Sequence, residues 1–157
     1  MKTKTMLSLI VAAILAGAYQ ANAAQGTGRA TIKVVTAIAV TNVSDLVFSE
    51  AAAGAAAETV DPDQTETAQN ASFDIAGEPN RAIAITLPSD NTVFMVTGGG
   101  GTPDQEIAVD QFLSNNPAQI DPSGTSQLFV GATRAALSAT QASGDYEGNF
   151  AVDVVYQ

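Results

Sequence analysis

Apolar residues recur at every second position through much of this chain, and that alternation constrains the fold more than any other feature of the sequence. A period of two places successive side chains on opposite faces of a β-strand and does not match the 3.6-residue period of a helix. The alternation is cleanest near the C-terminus, from Tyr146 to Tyr156. A second alternating stretch, from Ala30 to Thr41, predicts a strand of about a dozen residues.

Shorter alternating runs fill the sequence between these two stretches, at residues 46–48, 73–75, 83–87, 93–96, 107–112, 128–130 and 135–139. Gly, Pro, Asn and Asp separate the runs and favour turns, because they adopt positive φ or fix φ at about −65°. Many short strands at spacings of roughly ten residues are typical of a sandwich. We therefore predict an all-β, immunoglobulin-like antiparallel β-sandwich. The Ala-rich run from Ala51 to Ala57 is too short for an independent helix and is expected to form a surface loop.

The N-terminus has the organisation of a signal peptide. Two lysines precede an apolar run over residues 6–18, and Ala21 and Ala23 then supply the small side chains that a signal peptidase requires. A helix of this length spans only ~20 Å, which is less than the ~30 Å hydrocarbon core of a bilayer. The sequence therefore predicts a signal peptide over residues 1–23, and export of a mature chain that does not span a membrane.

The composition of the chain excludes several classes of function. The sequence contains no His, Cys or Trp, so it has no Ser-His-Asp or Cys-His nucleophile, no imidazole or thiolate metal site and no disulfide. After residue 23 the chain has 4 basic and 16 acidic residues, a net charge of about −12, which disfavours binding to nucleic acid or anionic lipid. We expect no enzymatic activity and no cofactor.

One acidic stretch has part of the spacing of a calcium-binding loop, with Asp61, Asp63 and Thr65 at alternate positions. Glu66 occupies the sixth position, where such a loop needs Gly, and Ser72 occupies the twelfth, where it needs Glu. A solvated acidic loop is the interpretation we adopt, and no metal site is predicted.

The last fourteen residues resemble the terminal strand of chaperone-usher pilins. In that family a Gly stands fourteenth from the end and a Tyr is penultimate, as Gly144 and Tyr156 do here. Phe150, Val152 and Val154 occupy the alternate positions at which those pilins present core side chains to a periplasmic chaperone. An ordinary last strand of a sandwich is the alternative interpretation of the same pattern.

Other stretches extend the resemblance over nearly all of the mature chain. Residues Ala30 to Phe48 are similar to the N-terminal stretch of the archaic, spore-coat-U-like branch of these pilins. Residues Ala71 to Pro88 and Leu128 to Ala142 more closely resemble a secreted bacterial family of unknown function with fimbria-like sandwich domains.

The resemblance implies a sandwich that lacks one strand and is completed by another chain. It implies a donor-strand-like segment over residues 24–36 and a pilin-like domain over residues 37–157. The implied partners are copies of the same or related subunits joined head to tail, a periplasmic chaperone and an outer-membrane usher. The implied function is a structural subunit of an extracellular fimbria assembled by donor-strand exchange, which passes through the periplasm to the cell surface.

The resemblance also assigns roles to individual residues. The implied donor-strand anchors are Ile32, Val34 and Ile38. The implied edge for the donor strand or the chaperone contains Gly144, Phe150, Val152, Val154 and Tyr156.

A second reading uses the same residues differently. The stretch from Ala30 to Thr41 then folds back as the protein's own first strand and completes a monomeric sandwich. The protein would in that case be a secreted or surface-attached binding or adhesion module that does not polymerise. Counting strands does not separate the two readings, because about seven suffice for an immunoglobulin-like sandwich.

Overall fold

The computed structural model of the chain describes residues 25–157. The chain divides into two units, residues 1–33 and residues 34–157. In the first unit the described residues, 25–33, are exposed and form no strand. The predicted signal peptide, including Ala21 and Ala23, lies outside the described residues.

The second unit is built from eight strands, and residues 25–157 contain no helix. No segment in this range is therefore a helix long and apolar enough to cross a membrane. In chain order the strands are β1 (Ala39–Ser44), β2 (Glu58–Val60), β3 (Ala71–Ala76), β4 (Ile83–Thr86), β5 (Val93–Val96), β6 (Glu106–Ser114), β7 (Thr125–Arg134) and β8 (Asp153–Tyr156).

The strands form one large sheet and one small sheet. The order in the large sheet is β1-β3-β7-β6-β5, with β2 paired to the end of β7, and the small sheet contains β4 and β8. All of these pairings are antiparallel. The predicted all-β antiparallel sandwich is confirmed.

The core lies between the sheets and is formed around β3 and β7. Phe73 pairs with Leu128 in the register of these two strands, and alternate residues on each strand face inward. Ile75, Leu128 and Val130 are completely buried. Phe150, which precedes β8, closes the core from the other side, with its ring 6.0 Å from that of Phe73.

The strand predicted from Ala30 to Thr41 is largely wrong, because β1 begins only at Ala39. Residues 25–38 form no strand and pair with none of the eight strands. A β-strand needs a neighbour to satisfy its N–H and C=O groups, so an alternating sequence without one stays irregular. For the same reason the alternation that starts at Tyr146 becomes a paired strand only from Asp153 to Tyr156, where β4 lies beside it.

Two shorter predicted strands are also replaced by connections. Residues 46–48 make a single main-chain hydrogen bond, from Val47 N to Gln69 O at 2.8 Å. Residues 135–139 dock against the Ala-rich run, where Leu137 N donates to Ala55 O at 2.9 Å. The run from Ala51 to Ala57 forms a surface loop, as predicted.

The acidic stretch between β2 and β3 is organised by one buried amide. Asn70 is completely buried, and its Nδ2 donates to the carbonyl oxygens of Pro62 at 2.7 Å and Thr65 at 3.0 Å. Its Oδ1 accepts a hydrogen bond from the main-chain N–H of Thr67 at 2.8 Å. The Asn70 side chain therefore holds this loop. Its hydrogen bonds use two carbonyl oxygens of the stretch that has calcium-loop spacing.

Candidate functional site

Strand β8 is paired on one side only. Tyr156 lies opposite Ile83 of β4, and Gln157 N extends the ladder by donating to Ala82 O at 3.1 Å. Hydrogen-bonding direction alternates along an antiparallel strand, so the N–H and C=O groups of Val154 and Tyr156 point away from β4. Among residues 25–157 no strand lies on that outer side. This is the unpaired edge of the small sheet.

Side chains next to the unpaired edge cover the core incompletely. Phe150, Val152, Val154 and Tyr156 all face the core and pack against it, yet each remains only partly buried. Val155, between them, points outward and is 57% exposed. These four side chains therefore point inward, as the alternation predicts. They are not buried as fully as side chains in the interior of a sandwich usually are.

The large sheet is also uncovered at β1. Val40 pairs with Ile75, and since side chains opposite each other share a face of a sheet, Val40 faces the core side. It is nevertheless 38% exposed. Ile38, just before β1, packs against the core and is partly buried. We call these core-facing, incompletely covered side chains the open seam: Ile38 and Val40 on the β1 side, and Phe150, Val152, Val154 and Tyr156 on the β8 side.

The position of the open seam follows from the topology. An immunoglobulin-type sandwich places strands A, B, E and D in one sheet and strands C, F and G in the other. The order β1-β3-β7-β6 corresponds to A-B-E-D and the pair β4-β8 to C-F, whereas β5, beyond β6 in the large sheet, has no counterpart in this scheme. The position of G, beside β8, is empty in the part of the chain that the structure describes.

A small hydrogen-bond network stands at one end of the open seam. The hydroxyl of Tyr156 donates to the main-chain oxygen of Thr36 at 2.7 Å and accepts from the main-chain N–H of Glu78 at 2.7 Å. The N–H and Oγ1 of Thr36 donate to Oε2 of Glu78 at 3.2 and 3.3 Å. We call Thr36, Glu78 and Tyr156 the root clamp, because they hold the chain where it enters the sandwich.

Two further residues hold the Tyr156 ring in the root clamp. The Arg81 guanidinium carbon lies 5.6 Å from the ring centroid, within the range of a cation–π contact. Gly77 leaves space for the hydroxyl, since a Cβ at this position would come within 2.4 Å of Tyr156 Oη.

The structure separates the three predicted donor anchors. Val34, which precedes the root clamp, is 83% exposed, and Ile32, in the first unit, is 88% exposed. Ile38 follows the clamp and packs against the core of its own domain. The exposed apolar segment therefore ends at Thr36.

Of the five residues predicted at the accepting edge, four come together and Gly144 lies elsewhere. Gly144 has φ of +151°, and a Cβ there would lie 2.6 Å from Thr97 Oγ1, just beyond β5. Nearby, Val96 N donates to Glu147 O at 2.8 Å and Glu147 N donates to Val96 O at 3.1 Å. This part of the chain covers the outer edge of β5.

Sequence reasoning missed Thr36 and Glu78, which belong to no recognisable motif. Thr and Glu are common at protein surfaces, so neither residue stands out in the sequence. Their part in the hydrogen-bond network becomes visible only because the fold brings them to Tyr156. Of the three residues of the network, only Tyr156 was predicted from the sequence to belong to a site.

The ion pair between Arg134 and Glu58 has a structural role. Arg134 is buried, and its guanidinium lies 3.3 Å from the Glu58 carboxylate, which also accepts the N–H of Ser49 at 3.0 Å. Partial burial of Glu58 disfavours its charge, but the hydrogen bonds from Ser49 and Arg134 outweigh burial and lower the pKa of Glu58. This pair joins β2 to β7.

Within residues 25–157 no group of three or more acidic side chains could hold a metal ion.

Comparison with known proteins identifies the domain but no activity. A family model described as "Domain of unknown function (DUF4402)" matches residues 38–156. No curated protein and no solved structure matches the chain. The matched region runs from Ile38 to Tyr156, so it contains both sides of the open seam and leaves out the exposed segment that precedes the root clamp.

Proposed function

We propose that this chain, which belongs to the DUF4402 family, is a structural subunit of an extracellular fimbria in which each subunit inserts its N-terminal segment into the open seam of a neighbour. One observation carries the proposal. The strand position beside β8 is empty in residues 25–157, while the same chain exposes an alternating apolar segment that contains Ile32 and Val34.

The unpaired edge and the exposed segment complement each other chemically. An extended strand beside β8 gains main-chain hydrogen bonds to Val154 and Tyr156, each contributing about 0.5–1.5 kcal/mol. Burial of Ile32 and Val34 adds about 1.5–3 kcal/mol for each side chain. Together these terms are comparable with the ~5–15 kcal/mol stability of a whole domain. A subunit that receives a strand is therefore expected to be much more stable than one that does not.

The second edge of the large sheet supports this interpretation. Unpaired sheet edges promote aggregation, and proteins commonly cover them. At β5 the Val96–Glu147 bridge does so within the chain. The chain covers β5 but leaves β1 and β8, which carry the two sides of the open seam, without an outer partner in residues 25–157, and a partner strand in the seam best explains this difference.

Exchange between subunits also explains the placement of the root clamp. The clamp holds Thr36 to its own domain, so the residues before it are the part that reaches another subunit. The donor and acceptor surfaces differ, and a contact of this kind does not close on itself but propagates as an open filament. During export a periplasmic chaperone would cover the seam with a strand of its own, and an outer-membrane usher would replace it with the next subunit.

The test is assembly of the exported full-length protein. Samples are compared with and without boiling on a denaturing gel, on which strand-exchanged polymers run as a ladder that boiling collapses. The double variant Ile32→Asp, Val34→Asp is expected to yield monomer only, because buried carboxylates cannot occupy the seam. Thr31→Asp, on the opposite face of the alternation, is the matched control and keeps the ladder.

The opposite outcome is equally clear. If the parent protein stays a single folded monomer at high concentration, and its N-terminal segment is protected from protease within that monomer, the segment completes its own sandwich and the proposal is wrong.

A further inference from the structure

Tyr156 takes part in two sites of the domain, the unpaired edge and the root clamp. Its main chain lies on the unpaired edge of β8, and its hydroxyl lies in the root clamp that holds Thr36. We infer that these two sites are coupled through Tyr156, so that a subunit whose open seam is filled holds the root of its own N-terminal segment more firmly. This inference rests on the proposed function, since it concerns a strand that fills the same seam.

The coupling follows from how weakly β8 is held. β8 has four residues and pairs with the four residues of β4, and within residues 25–157 it has no strand partner on its other side. A short strand with a neighbour on one side only frays by local opening. A strand added along the outer side of β8 bonds the main chain of Val154 and Tyr156 and suppresses that fraying. The hydroxyl of Tyr156 is then kept at Thr36 for a larger fraction of the time.

The Tyr156 ring is held in place by its neighbours, so it cannot keep its hydroxyl at Thr36 when the β8 main chain moves. Arg81 lies over its face, and Gly77 provides the space for its hydroxyl. The hydroxyl also bridges two main-chain groups, the N–H of Glu78 and the carbonyl of Thr36, each at 2.7 Å. Displacement of β8 therefore breaks both bonds of the hydroxyl together and opens the clamp on its Tyr156 side, whereas the Thr36–Glu78 bonds do not involve Tyr156.

Coupling between two sites is reciprocal. A filled seam closes the clamp, and a closed clamp must favour filling of the seam by the same factor. For an assembling filament the consequence is an order of events, in which a subunit that has accepted a strand presents its own segment from a fixed root. Couplings of this kind typically amount to about 5-fold to 150-fold.

The experiment measures both directions of the coupling on the full chain. The protein carries Ile32→Asp and Val34→Asp so that it stays monomeric, and the probe is a synthetic peptide with the sequence of residues 28–40. Exchange of the Thr36 amide hydrogen, which bonds to Glu78, is followed with and without saturating peptide. Peptide affinity is measured by calorimetry for this chain and for the same chain with Tyr156→Phe. Tyr146→Phe, which removes a hydroxyl bonded to Asp104 and Ala142 instead, is the matched control.

We expect the peptide to slow exchange at Thr36 by about 5-fold or more. With Tyr156→Phe this slowing is expected to disappear and the Kd for the peptide to rise by a similar factor. Tyr146→Phe leaves both effects in place. If Tyr156→Phe does not fold, Gly77→Ala displaces the Tyr156 hydroxyl while keeping Glu78 as the acceptor of the Thr36 amide, and the same two changes are expected.

Failure of the inference and failure of the proposed function give different results. A peptide that does not bind at all excludes strand acceptance, and the coupling with it. A peptide that binds but changes Thr36 exchange by less than 2-fold, or that keeps its effect after Tyr156→Phe, leaves strand acceptance standing and overturns the coupling.

Discussion

The hydroxyl of Tyr156 donates a hydrogen bond to the main-chain oxygen of Thr36 at 2.7 Å, across 120 positions of sequence. This bond joins the last strand to the residues that precede the first. It also marks a boundary in the molecule, because Val34 on one side of it is exposed and Ile38 on the other packs against the core. The hydrogen bond therefore lies where exposed apolar side chains give way to packed ones.

Gly77→Ala is expected to open the root clamp. The new Cβ would lie 2.4 Å from Tyr156 Oη and 2.6 Å from Ile120 Cδ1, so the tyrosine hydroxyl must move away from Thr36 and Glu78. Overpacking of this kind costs about 1–3 kcal/mol, measurable by urea unfolding. Gly28→Ala is the control, since nothing lies within 4 Å of its Cβ position. An unchanged unfolding midpoint for Gly77→Ala would mean that the clamp adds nothing to stability.

Phe150→Ala is expected to destabilise the sandwich by about 2–3 kcal/mol. The Phe150 ring contacts Phe73 and Phe112, with centroid distances of 6.0 and 5.2 Å. A fully buried Phe costs about 3–5 kcal/mol on truncation, and partial burial reduces that figure. Val155→Ala, five residues later and facing outward, should change the unfolding free energy by less than about 0.5 kcal/mol. Equal losses for the two variants would contradict the inward phase of this stretch.

Glu58 is expected to make stability depend on acid pH. Its pKa is lowered in the folded protein, since hydrogen bonds from Ser49 and Arg134 outweigh the opposing effect of burial. The unfolded chain therefore binds the proton more readily. The stabilisation is complete above the ordinary Glu pKa of about 4.3 and is lost as the pH falls through the lowered pKa.

The measurement is the unfolding free energy in urea as a function of pH. Glu58→Gln is expected to be less stable than the parent at neutral pH and to lose less stability on acidification. Glu50→Gln removes one negative charge from the neighbouring loop but leaves Glu58 in place, so the acid-linked loss remains. If Glu58→Gln and the parent lose stability in parallel, the Glu58–Arg134 pair does not contribute.

Val40→Asp is expected to block assembly with little effect on the isolated subunit. Val40 faces the core side of β1 but is 38% exposed, so an Asp there remains hydrated until a neighbour's strand covers it. The ladder on an unboiled gel should disappear. Ala39→Asp, on the outer face of the same strand and opposite the uncharged Ala76, should keep it. Loss of the ladder in both variants would point to a general effect of charge on β1 and not to the seam.

Prediction from sequence succeeded where it depended on local periodicity. The alternation from Phe150 to Tyr156 placed four side chains on the core side, and the structure has them there. It failed for residues 30–38, which alternate equally well but form no strand. Side-chain alternation is a property of one segment, whereas a strand exists only beside a second segment. Thr36 and Glu78 could not have been found, since their role depends on a contact between distant parts of the chain.

The pattern of apolar and turn residues, read alone, was enough to establish an all-β antiparallel protein, the inward face of its last strand and a chemistry without His, Cys or Trp. These properties depend on residue type and on a spacing of two, and both can be read along the chain. Which sheet edges are covered was decided only by the tertiary structure. Glu147 bonds to Val96 and covers β5, while nothing in residues 25–157 pairs with the outer side of β8. That difference arises because main-chain hydrogen bonds between strands depend on where distant segments lie in space, and not on which residues they contain.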